Sequence, residues 1–169
     1  MNNLMVTLRL IHIIGGVVWV GGGLIMNFFV VPSLRATGDA GKQFAGHLMG
    51  RTRFSLIMTF SAYATVVAGF LLYGIDSQWF TSAWQGSSAG IGFGVGAVFA
   101  LVGLVTGVMN GNNNRKMAQI GAQILGKPTP EQASAFGAIQ AQQTWVIPVN
   151  TWSLILALIM MAVARYLVF

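Results

Sequence analysis

The first apolar run, Leu4 to Val31, constrains this chain more than any other stretch. About 20 mainly apolar residues, each rising 1.5 Å in a helix, cover the roughly 30 Å hydrocarbon core of a bilayer, so the run is long enough to cross one. It also holds His12, the one histidine in any apolar span. At 100° per residue, Met5, Arg9, His12, Gly15, Gly16, Trp19, Gly23, Met26 and Asn27 fall within about 60° of one direction. Leu10, Ile14, Val17, Val18, Gly21, Leu24 and Ile25 take the opposite side, which suits lipid. An ionisable group in hydrocarbon is costly unless it faces protein or water. His12 is therefore expected to point into a helix bundle, over small residues that let another group come close.

Three further spans are expected, at about 54–74, 89–110 and 145–169, after the first at about 4–31. The whole chain, 1–169, reads as a single integral membrane domain. Composition agrees: 55% of the residues are hydrophobic and 7% charged, against about a quarter charged in soluble domains. Mean hydropathy is +0.71. The net charge of +6 is read as membrane topology and not as a nucleic-acid footprint, because the basic residues border apolar spans. No cysteine is present, which excludes disulfides and thiolate chemistry. The opening run greatly exceeds a signal-peptide core and ends in no A-x-A-like cleavage site, so the first span is expected to stay in the mature protein.

The connections carry the topology. A polar segment from Pro32 to Arg53 holds Arg35, Lys42, Arg51 and Arg53, with a short amphipathic helix expected over Gly41–Met49 and His47 solvated or interfacial. Trp79, Phe80 and Trp84, between the second and third spans, mark a headgroup level. The helical pattern of the third span continues past Arg115 and Lys116 to Gly126, and Thr129-Pro-Glu-Gln132 reads as a new helix start. A hairpin protruding beyond the membrane follows. The fourth span carries Pro148 near its entrance, where a kink is expected. Both basic connections are cytoplasmic by the positive-inside rule, which puts the N and C termini outside a bacterial inner membrane. The expected fold is all-α: a four-transmembrane-helix antiparallel bundle with a protruding cytoplasmic helical hairpin.

Gly92, Gly96, Gly103 and Gly107 share one face of the third span with Ala100 and Gly111, the small-xxx-small pattern by which helices meet in lipid. Gly90 and Gly94 lie on the other side. On the fourth span Asn150, Leu154, Ala157, Met161, Ala164 and Arg165 share a face. Antiparallel packing of the first and fourth spans is expected to bring His12 level with Ala157 to Met161, and Arg9 level with Arg165. Such a cluster would suit haem b: His12 as axial ligand, Met161 opposite, Gly15 and Gly16 opening a slot, Arg9 and Arg165 pairing with propionates. Copper, held by His12 with Met161 or Met5, is the alternative. In the bland reading the histidine bonds a neighbouring helix, the arginines snorkel and Met161 fills a gap. Paired intramembrane carboxylates, HExxH and a phosphate loop are all lacking from the sequence.

The pattern His12-Ile-Ile-Gly-Gly-Val-Val-Trp19-Val-Gly21-Gly22, followed by Phe29-Val-Val-Pro32 and a basic stretch ending Arg51-Thr-Arg53, resembles the first helix pair of the small bacterial CopD-like membrane proteins. That opening is similar to the one of HemJ-type protoporphyrinogen oxidases, which bind haem. The resemblance implies that His12, beside Trp19 and the glycines, is a metal or haem ligand. This chain has no second histidine in a span, so a bis-histidine haem would need another subunit or copy. Three functions are carried forward: a haem-binding redox protein, a copper-handling protein, and a non-catalytic accessory or self-assembling subunit packing through the glycine face. Partners are the bilayer and a homo-oligomer or larger membrane complex.

Overall fold

The computed structural model describes residues 3–124 and 126–168, and helices with short turns are the only regular structure among them. Helix α1 (Asn3–Ile25) passes through a π turn (Met26–Val30) into α2 (Val31–Ala36), giving one continuous rod of 34 residues. Helix α3 (Asp39–Arg51) follows a turn at Gly38, and α4 (Phe54–Asp76) returns. Helices α5 (Ser88–Ala122) and α6 (Pro130–Val163) form the second half, closed by a 3-10 turn over Ala164–Tyr166. The rod, α4, α5 and the segment Pro130–Tyr166 are each long and apolar enough to cross a membrane. The all-α bundle is the architecture the hydropathy pattern implies.

The first boundary differs from expectation, because the helix does not stop at Pro32. Proline lacks an amide, so the carbonyl four residues earlier, on Phe28, loses its partner. The rod widens to a π turn just before it, with Val31 N–H reaching back to the Met26 carbonyl. Ser33 Oγ donates to the Phe29 carbonyl at 2.7 Å and helps close the same turn. Helix α6 likewise runs through Pro148. Its N-terminus is a complete capping box: Thr129 Oγ1 accepts from Gln132 N–H at 3.3 Å, and Gln132 Oε1 accepts from Thr129 N–H at 2.9 Å. Helices of 35 and 34 residues are about 50 Å long, so a bilayer leaves roughly 20 Å of each outside as a hairpin.

The bundle is built as two pairs, α1 on α4 and α5 on α6, with a small core of Trp19, Ala62 and Leu154 where the pairs meet. Val17, Phe60 and Val98 are 68, 73 and 61% exposed. Water would make such surface a liability, whereas acyl chains cover it without cost. The α4–α5 connection is an aromatic knot. Tyr73 packs edge-on against Trp84 at 5.2 Å between ring centres, Trp84 stacks on Phe93, and Tyr73 Oη donates to the Gly90 carbonyl at 3.2 Å. Gln78, Trp79 and Phe80 hold positive φ of 50, 57 and 70°, a conformation unfavourable for side-chain-bearing residues. Ser77 Oγ, which accepts from Phe80 N–H, and the Trp79 ring seated over Gly74 hold it there.

Candidate functional site

His12 lies between α1 and α4. Its Nδ1 is 2.8 Å from the Thr65 carbonyl oxygen. A carbonyl only accepts, so Nδ1 is the donor of this bond and Nε2 is the ring nitrogen left outside it. The ring fits because residue 69 is glycine: a Cβ there would stand 2.7 Å from Cε1 and 2.9 Å from Nδ1 of His12. One turn along, a Cβ on Gly15 would stand 2.6 Å from Thr65 Oγ1, and one on Gly16 would stand 3.7 Å from the Thr65 methyl. Thr65 Oγ1 in turn donates to the Ser61 carbonyl at 2.7 Å. His12, Gly15, Gly16, Thr65 and Gly69 thus form one interhelical joint.

The other residues singled out in the sequence are placed elsewhere. Trp19, 6% exposed, is core. Met161 packs on Gly96 of α5, its Cε 3.1 Å from where a Cβ would be. Arg9 and Arg165 are both exposed, and neither forms an ion pair with a described residue. The register between α1 and α6 also moves. A Cβ on Gly23 would stand 3.4 Å from Leu154 Cδ1, and Asn27 Nδ2 donates to Thr151 Oγ1 at 2.8 Å. Counting outward from those pairs at equal rise sets His12 level with the Ala164–Tyr166 turn, more than a helical turn beyond Met161. The cluster expected between the first and fourth spans, α1 and α6, therefore does not have Met161 level with His12. His12 offers a ligand atom, but Thr65 fills the Gly15–Gly16 slot, Met161 packs on α5, and Arg9 and Arg165 are exposed. Among the described residues no group of three or more His, Cys, Asp or Glu side chains could hold a metal ion.

From Gly92 to Gly107 the glycine face of α5 is covered within the chain. Gly92 meets Ala164 and Leu167, Gly96 meets Met160 and Met161, Gly103 meets Leu154 and Gly107 meets Asn150. A partner helix would have to displace α6 to use it. Gly90 and Gly94, on the other side, lie against the Trp84–Gln85 backbone and Tyr73.

A polar seam escaped the sequence reading. Asn150 Nδ2 donates to the Gly103 carbonyl at 2.7 Å and to Thr106 Oγ1 at 3.2 Å, beside the Asn27–Thr151 bond. Further along, Gln143 Nε2 reaches Asn114 Oδ1 at 2.9 Å and Asn110 Oδ1 at 3.3 Å. Asn113, only 4% exposed, leaves Nδ2 without a hydrogen bond to any described residue. The signal was available, since Asn27 shares the His12 face and Asn150 the Leu154 face; what was lacking was the register that pairs them.

Fold and site together define a four-helix, polytopic membrane-type bundle whose intramembrane polar groups bind helix to helix. Comparison with known proteins returns no matching family model, no matching curated protein and no matching solved structure.

Proposed function

We propose that this chain is a non-catalytic accessory subunit of a bacterial inner membrane, with both termini outside. In this reading the bundle is a scaffold that holds the α5–α6 hairpin and the basic α3 on the cytoplasmic side, where a partner protein meets them. The observation that carries the reading is the His12–Thr65 bond across Gly69: the one intramembrane histidine, and the glycines around it, are accounted for by helix packing. The test is site-specific photo-crosslinking in cells from Ala133 at the hairpin's outer turn. A single discrete adduct, unchanged by His12→Ala, is expected; the absence of any adduct from either arm of the hairpin would contradict the reading.

A second reading rests on one specific observation. With Nδ1 committed to Thr65, His12 Nε2 is an available imidazole ligand of the kind a carbonyl-anchored histidine gives a metal. His12 would then be one of the residues that hold a haem b shared with another chain, which would supply one-electron chemistry. Copper at the same nitrogen is the variant of this reading that metal analysis separates.

A further inference from the structure

We propose that the notch between the π turn of the first helix and α3 is a binding site for one anionic phospholipid. The notch has a volume of about 420 Å³ and is walled by Phe29, Val30, Leu34, Ala40 and Phe44. Its surface is almost wholly apolar, and Phe29 and Phe44 are 68 and 55% exposed at its mouth. It exists because α3 turns back against α2: Gly41 sits directly on the Leu34 backbone, where any Cβ would collide. This brings the amphipathic α3 beside the end of a membrane-crossing helix, so the notch opens at the depth where acyl chains begin. An apolar recess there is filled by hydrocarbon in preference to water.

Charge selects the headgroup. Seven of the nine Lys and Arg residues lie at this end of the bundle, in the 32–53 segment and the hairpin, against two acids, Asp39 and Glu131. Lys42, next in sequence to the notch-lining Gly41, is paired with Asp39 at 2.8 Å and is locally neutralised. Arg35, exposed and next in sequence to the notch-lining Leu34, forms no ion pair with a described residue. A guanidinium binds phosphate in a two-pronged geometry that a zwitterionic headgroup, carrying its own cation, satisfies less well. Apolar recess and free arginine together therefore describe a phosphodiester lipid with net negative charge.

The test uses the full-length protein, delipidated in mild detergent and titrated with phosphatidylglycerol or phosphatidylcholine, with bound lipid read by native mass spectrometry. Phosphatidylglycerol is expected to bind about fivefold more tightly, the contribution of one cationic side chain near anionic lipid. Arg35→Gln should bring it down to the phosphatidylcholine level, and Ala40→Trp, which fills the notch from an exposed position, should remove both lipids without changing helicity by circular dichroism. Inorganic phosphate should not compete. Equal binding of the two lipids, retention of phosphatidylglycerol in both variants, or displacement by free phosphate would overturn the proposal.

Discussion

His12 Nδ1 and the Thr65 carbonyl oxygen, 2.8 Å apart and 53 residues apart in sequence, tie α1 to α4 through a gap that only glycine at position 69 leaves open. The ring and the missing side chain are one device. Gly69→Ala should therefore destabilise the bundle by about 1–3 kcal/mol, the usual cost of overpacking, measured as a fall in unfolding midpoint in detergent. His12→Ala placed on top of Gly69→Ala should recover part of that loss; strictly additive losses would mean that the ring and Gly69 are not coupled.

The α5–α6 pair makes a sharper contrast. Gly103 meets Leu154 Cδ2 at 2.7 Å from an added Cβ, whereas Gly111, one of the same run of small residues, meets nothing within 4 Å. Gly103→Leu should prevent a folded monomer from accumulating in the membrane, and Gly111→Leu should leave expression and helicity unchanged. Equal tolerance of both would show that α6 does not lie where it is placed.

Asn150 and Asn113 should respond in opposite directions. Asn150→Leu removes two interhelical hydrogen bonds and should cost roughly 1 kcal/mol, within the range for polar contacts between membrane helices. Asn113→Leu removes a buried donor that has no described partner and should be neutral or stabilising by about 1 kcal/mol. Chemical denaturation in matched detergent separates the two.

At the hairpin, Thr129→Ala should cost about 1 kcal/mol by opening the capping box at the start of α6. The carboxyl of Glu131 in the same turn is held below its ordinary value, first by its own backbone N–H and then by Thr129. A depressed carboxylate stabilises the fold above its unfolded pKa, and that contribution disappears as pH falls through the folded value. Protection of the amides in the first turn of α6, relative to their intrinsic exchange rate at each pH, should therefore fall below the ordinary carboxylate range, and Glu131→Gln should remove that loss of protection.

Much of this was written in the sequence. Four spans, the short amphipathic α3, the Thr129–Gln132 helix start and the glycine face of α5 all follow from local periodicity and capping chemistry, which depend on neighbours a few residues away. The site was less legible because it depends on register between distant helices. His12 was rightly expected to face protein, but nothing local says that its neighbour is Gly69 and not Met161, or that Thr65 fills the space beside Gly15. The first helix also outruns its apolar span of about 4–31, because it absorbs Pro32 with a π turn and the Ser33 hydroxyl.

The proposed role of His12 is that of a bond between helices. It is tested most directly by the visible absorption spectrum of the protein purified from its native membrane, air-oxidised and then dithionite-reduced. The account predicts a flat spectrum from folded protein, unaltered in His12→Ala. A Soret band with reduced α and β bands that vanishes in His12→Ala would contradict it and establish Nε2 of His12 as a haem ligand.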